Sequence, residues 1–124
     1  MREIIFRAWD KKAKVMVTLL GIDFENKKVL CYADDHEQNI HTENYWLILD
    51  DCVLLQYTGL KNKKNKIYEG DIMKLENLPN INPYYKVIFE DGKFTCGGME
   101  IKGVLDLCNG KVVGNVYENP ELLK

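Results

Sequence analysis

Serine is absent from all 124 residues, which excludes every mechanism that starts from a serine nucleophile. Alanine occurs only as Ala8, Ala13 and Ala33, against nine valines and ten isoleucines. So few strong helix formers beside so many β-branched residues exclude a helical bundle and favour sheet. Arginine occurs only as Arg2 and Arg7, so the basic side is almost all lysine. Base readout in the major groove relies on the bidentate guanidinium fork, and two arginines near one end argue against a sequence-specific DNA reader. No apolar run approaches the roughly 20 residues of a membrane-spanning helix. No glycine-rich phosphate loop is present, because Gly59-Leu60-Lys61 lacks the preceding glycine. No C-x-x-C pair occurs either. Cys31, Cys52, Cys96 and Cys108 are dispersed, as free buried thiols are, and not spaced as a disulfide or zinc framework. The N-terminal residues lack a signal-peptide pattern, and the expected location is the cytoplasm.

What is present is enough for one domain with a real core: 46% of residues are hydrophobic and 29% charged. The formal net charge is −2, with no global field that calls for a polyanion. The charge is nonetheless uneven: residues 1–22 carry +3, residues 23–51 carry −6, residues 52–75 carry +3 and residues 76–124 carry −2. Solvated loops account for this pattern, and so does an acidic face that meets a basic partner or a symmetry mate.

Residues 3–9 alternate as a strand, with Phe6 and Ala8 on one face and Arg7 and Trp9 on the other. Lys14 to Leu20 answers it as a hairpin partner, and Gly21–Phe24 with Lys28–Tyr32 reads as a second hairpin. Residues 33–44 are polar and non-periodic and read as a loop, with room for one helical turn. Tyr45–Leu49 and Cys52–Tyr57 are apolar runs too short for periodicity to separate strand from helix. Lys61 to Lys66 reads as an exposed cationic loop, and residues 77–83 as a Pro/Asn-rich loop. Gly70-Asp71 is suited to open a strand, Asp91-Gly92 signals a hairpin, and Asn109-Gly110 signals another between Val104–Cys108 and Lys111–Val113. Gly114 reads as a bulge or a close backbone approach, and Asn119-Pro120 as the start of one helical turn. The expected fold is mainly β, with antiparallel small barrel-like sheets and at most short helical turns. It is organised as one domain over 1–124, in which two β-rich subregions, 1–57 and 67–124, are joined by 58–66.

Chemistry-bearing constellations are few. His36 and His41 are the only histidines and neither lies beside a cysteine, so no catalytic constellation emerges and no enzyme is expected. Asp34, Asp35, His36 and His41 are the metal candidates, since carboxylate with imidazole suits zinc or manganese. The two histidines are spaced so that one helical face would not carry both. A polar acidic loop is the bland alternative. Lys61, Lys63, Lys64 and Lys66, with Tyr57 and Tyr68 as stacking faces, are the nucleic-acid candidates. Their bland alternative is a solvated hairpin tip beside core tyrosines.

Three stretches resemble the YopX family. They are Arg2-Glu3-Ile4-Ile5-Phe6-Arg7-Ala8-Trp9-Asp10, then Leu55-Gln56-Tyr57-Thr58-Gly59-Leu60-Lys61 with Ile67-Tyr68-Glu69-Gly70-Asp71-Ile72, and Gly114-Asn115-Val116-Tyr117-Glu118-Asn119-Pro120-Glu121-Leu122-Leu123. They keep family order and spacing over essentially the whole chain. One departure is the central tip, Asn62-Lys63-Lys64-Asn65, which has no glycine where the family usually has an Asp/Asn-Gly turn. The resemblance implies a small, mainly β, phage- or prophage-encoded protein of a bacterial host cell, without catalytic residues or cofactor to carry over. Trp9, Tyr57, Tyr68 and Tyr117 then read as aromatic anchors, and Gly59, Gly70 and Gly114 as backbone positions. The leading functional expectation is a non-enzymatic protein-binding or assembly module, with a protein partner or self-association. A nucleic-acid-binding small β-barrel that uses the Lys61–Lys66 loop is the alternative.

Overall fold

Alternation builds the first strand as the sequence predicts. In β1 (Phe6–Asp10) Ala8 and Asp10 are buried, while Arg7 and Trp9 lie on the opposite face and are half-buried. The computed structural model describes residues 5–77 and 82–124. Residues 3 and 4 of the expected first strand, and most of the Pro/Asn-rich loop, lie outside the described residues. The chain divides into two units, Ile5–Gln56 and Tyr57–Lys124.

The first unit contains β1, β2 (Val15–Asp23), β3 (Lys28–Tyr32), β4 (Asp34–Asp35), β5 (Ile40–His41), β6 (Tyr45–Ile48) and the start of β7 (Cys52–Asn62). Its main antiparallel sheet runs in the order β6-β3-β2-β1-β7. One face of the sheet carries the core, formed by Ala8, Val15, Val17, Val29, Cys31, Leu47 and Cys52 together with Ala33. The β2–β3 turn is held by Asp23, which accepts the Asn26 backbone N–H at 3.0 Å and its side-chain N–H at 2.8 Å. Those two bonds, side chain first, keep the Asp23 carboxyl below the usual range. The ambiguous runs at 45–49 and 52–57 are strands, parted by a 3-10 turn at Leu49–Asp51.

The second unit contains the rest of β7, β8 (Asn65–Tyr68), β9 (Asp71–Lys74), β10 (Tyr84–Glu90), β11 (Lys93–Cys96), β12 (Met99–Glu100), α1 (Ile101–Leu107) and β13 (Lys111–Asn115). Its sheet runs β12-β11-β10-β9-β13, and Ile67, Met73, Leu75, Val87, Cys96, Ile101, Val104 and Cys108 form its core. Asp91 and Gly92 have φ of 54° and 78°, the two positive values that a type I′ hairpin turn requires. The register slips between Val112 and Gly114, the bulge expected at Gly114. A 3-10 turn at Pro120–Leu123 begins on the expected proline.

Three expectations need correction. The segment over 58–66 is no connecting loop. β7 runs unbroken to Asn62, turns at Lys63-Lys64 and returns as β8, with Lys61 opposite Lys66. Residues 101–107 are a helix and not a hairpin strand, because Ile101, Val104 and Cys108 recur three and four apart and bury one stripe. Asn109 takes φ 46° just after that helix. Gly110 is required by close approach, since a Cβ there would sit 2.5 Å from Val104 Cγ1. Finally, the sheets are open: among the described residues neither closes into a barrel. No described helix is long and apolar enough to cross a membrane.

Candidate functional site

The polar residues inside the three recognisable stretches organise turns. Asp10 is 3% exposed. Its Oδ1 accepts the backbone N–H groups of Lys12 and Ala13, each at 3.0 Å. Its Oδ2 accepts the Tyr45 hydroxyl at 2.9 Å. Burial first, then this bond, pushes the Tyr45 hydroxyl far above the usual phenol range. Asp71 accepts the Tyr68 N–H at 2.8 Å, while Gly70 before it takes φ 86°. Asn115 Oδ1 accepts the Tyr117 and Glu118 N–H groups at 3.0 and 2.9 Å, and its Nδ2 donates to Glu118 Oε1 at 3.0 Å. Asx turns of this kind satisfy buried backbone donors. In the sequence Asp10 opens the polar turn Asp10-Lys11-Lys12 after the first strand, whereas nothing singles out Asn115, although it too directly precedes a turn.

The nucleic-acid candidates divide. Lys61, Lys63 and Lys64 are exposed around the β7–β8 tip, with Lys66 half-buried behind them. Lys63 adopts φ 58°, so the tip turns without the glycine usual in the family. Tyr57 corrects the stacking expectation. It is 5% exposed, and its ring packs on Tyr68 at 5.7 Å between centroids, with Lys66 Nζ 5.8 Å away. A ring spent on core contacts offers no face to a base. Tyr68, Trp9 and Tyr117 are half-buried, in keeping with aromatic anchors.

The metal candidates also divide. Residues 33–44 form a small ribbon, in which β4 pairs with β5 and Asp34 stands opposite His41. Asp34 Oδ1 lies 2.7 Å from His41 Nδ1 and 3.9 Å from His36 Nε2. The two imidazole rings meet edge-on at 5.2 Å. Asp35 is drawn away from this group, its Oδ1 accepting the Glu37 and Gln38 N–H groups at 3.0 and 3.2 Å. Helical spacing was the wrong ruler for these residues, since a hairpin register brings together what a helix face would separate.

Two surface features stand outside all the sequence candidates. In the first unit the edge strand β6 turns Trp46 and Ile48 outward, 53% and 58% exposed, while Leu47 between them fills the core. Leu30 and Lys28 lie opposite them on β3, and Lys28 Nζ sits 4.4 Å from the Trp46 ring. The Leu49 N–H donates to the Lys27 carbonyl at 2.9 Å, which places the β2–β3 turn, and with it Phe24, at the Ile48 end of this corner. In the second unit a groove of about 270 Å³ is lined by Thr58, Leu60, Phe94 and Ile101, with Lys93, Glu100 and Lys102 at its rim. Its charges partly answer each other, Lys93 lying 3.8 Å from Glu100.

No curated protein matches the chain. Among solved structures, the crystal structure of protein EF1440 from Enterococcus faecalis is similar over 100% of both chains, at 25% sequence identity and a TM-score of 0.64. From Ile5 onward the recognisable stretches, which carry the buried turn-forming residues Asp10, Asp71 and Asn115, fall within the match to the YopX protein family over residues 5–124, and the chain belongs to that family.

Proposed function

We propose that this phage- or prophage-type protein is a non-enzymatic binding and assembly module whose contact surface is the β6 edge, and that its first partner is a second copy of the chain. The observation that supports this reading is the apolar corner of Trp46 and Ile48 on an edge strand, where solvent-facing strands normally carry charge. Trp46 is 53% exposed, so covering it removes on the order of 130 Å² of apolar surface per copy, worth about 3 kcal/mol before association costs. A contact this small makes a weak, exchanging dimer.

Glu43, Asp50 and Asp51 flank β6. Antiparallel pairing of two β6 strands brings these carboxylates near one another, so added salt strengthens the dimer by screening them. Sedimentation velocity on the full chain, from low micromolar to hundreds of micromolar, tests the reading. Concentration-dependent dimerisation that rises with salt and disappears in W46E/I48E is the expected result. A chain that stays monomeric throughout, or a dimer that both substitutions leave intact, overturns it.

Lys61, Lys63 and Lys64, exposed together at one tip, support nucleic-acid binding as a second reading, now by charge and without Tyr57. Absence of binding to single- or double-stranded DNA or RNA in a low-salt anisotropy titration removes it.

A further inference from the structure

We propose that Asp34, His36 and His41, brought together by the β4–β5 ribbon, form a site for one late first-row divalent cation, with Zn²⁺ as the natural occupant. The donor atoms of these three side chains lie within 4.8 Å of one another. Two imidazole nitrogens and one carboxylate oxygen are a zinc-type set; magnesium and calcium call for oxygen throughout.

The backbone sets up this convergence by itself. Cross-strand register places Asp34 opposite His41. The base of the ribbon is clamped twice between Ala33 and Thr42: the Thr42 N–H donates to the Ala33 carbonyl at 2.9 Å, and the Ala33 N–H donates to Thr42 Oγ1 at 2.8 Å. Ile40 packs against the core beneath. At the tip, Asp35 holds the turn by accepting the Glu37 and Gln38 N–H groups, and Asn39 takes φ 54° to bring the chain back. These interactions involve none of the three donor atoms, so the ribbon keeps its shape whether or not an ion is bound.

The adjustment that binding requires is small. Bonds of about 2.0–2.1 Å in a tetrahedral shell hold donor atoms roughly 3.3 Å apart. Asp34 and His41, now 2.7 Å apart, move apart by about half an ångström, and His36, now 3.9 Å from Asp34 in a group that spans up to 4.8 Å, swings inward by about 0.5–1.5 Å. The His36 side chain is 85% exposed and free to make that move. Three protein ligands leave one position for water, so the site binds reversibly and more weakly than a closed structural zinc site.

The test is calorimetric titration of the tag-free full chain, stripped with chelator, using ZnCl₂ alone. The expected result is one Zn²⁺ per chain with micromolar affinity, weakened about tenfold or more, or at least about 1.4 kcal/mol, in H36A and again in H41A. D35N keeps the oxygen that holds the turn and binds as the parent does. Co²⁺ substitution gives a tetrahedral visible spectrum without a thiolate charge-transfer band, which separates this site from the four cysteines. Circular dichroism checks that each variant is folded. No saturable binding up to millimolar Zn²⁺, binding that survives either histidine substitution undiminished, or a thiolate band with Co²⁺ overturns the proposal.

Discussion

Replacing Asp10 with alanine should destabilise the Ile5–Gln56 unit more than any other single truncation of an exposed or polar side chain there. The carboxylate is 3% exposed and accepts three hydrogen bonds, from Lys12 N–H, Ala13 N–H and the Tyr45 hydroxyl. Bonds to a charged acceptor contribute about 1.5–3 kcal/mol each. Two of the three donors belong to exposed turn residues that water can reach in the variant, and removal of the carboxylate also returns its desolvation cost. The net loss is then about 3–4 kcal/mol. Tyr45→Phe deletes one bond only and should cost about 1–2 kcal/mol, and Asp10→Asn, which keeps an oxygen for the two amides, should cost a similar amount. D10A and Y45F each remove one side of the same hydrogen bond, so their double-mutant cycle should show a coupling of about 1–2 kcal/mol. The assay is urea unfolding followed by tryptophan emission. Both tryptophans, Trp9 and Trp46, lie in this unit and report on it alone. An unchanged urea dependence identifies a loss of native stability rather than a change in the unfolded chain. A D10A cost below about 1 kcal/mol, or additive D10A and Y45F effects, would refute the claim that this carboxylate holds the turn and the tyrosine together.

Burial pushes the thiols of Cys31 and Cys52 up, and that of Cys96 to about 12, so a thiol reagent at mildly alkaline pH should label none of these three in the native protein and all of them in denaturant. The same shifts, with that of Tyr45, set an alkaline limit. Unfolded thiols ionise at about 8.5–9 and unfolded tyrosine at about 10, whereas the folded groups hold their protons. Their contribution is complete below pH about 8.5 and is lost as pH rises, so stability that stays flat through pH 11 in urea melts contradicts it. Gly110→Ala places a Cβ 2.5 Å from Val104 Cγ1 and 3.0 Å from Met73 Cε; the resulting overpacking should cost about 1–3 kcal/mol in the second unit, read by far-UV circular dichroism, and a neutral effect would show that α1 can shift freely.

Local turn chemistry was the most legible part of the fold. Asp91-Gly92 and Gly70-Asp71 each name a positive-φ backbone that few other residues adopt cheaply, Gly114 marks a bulge, and each is found where the residues place it. Asn109-Gly110 carried an equally strong hairpin signal and misled, because the same dipeptide also suits the end of a helix. The deciding evidence was the spacing of Ile101, Val104 and Cys108, which is helical, and not the turn pair. The Lys61–Lys66 stretch misled for a different reason. Lysine and asparagine look like a loop by composition, yet β7 and β8 draw their stability there from backbone pairing and from Tyr57, Ile67 and Tyr68 just below the tip.

The candidate sites were legible to the extent that their geometry is local. Asp34, His36 and His41 were named from residue type, but only a cross-strand register explains why Asp34 and His41 touch and why Asp35, one residue along, does not join them: successive side chains in a strand point to opposite faces. The β6 corner was not legible at all. Tyr45-Trp46-Leu47-Ile48-Leu49 reads as a uniformly apolar run, and nothing within it says that Leu47 meets a core while Trp46 and Ile48 meet solvent. That division follows from the one-sided core of the sheet, which covers the Leu47 face and leaves the Trp46 and Ile48 face open; the place of β6 at the end of the sheet, next to β3 and to no other strand of the described chain, leaves one edge open as well. A central position would have paired both edges of the same residues and still left their outer face to a further layer, as the part-buried Lys28, Leu30 and Tyr32 of β3 show. The surface most suited to a partner is therefore a consequence of strand order and of which sheet face the core covers, two long-range properties to which no motif in this sequence corresponds.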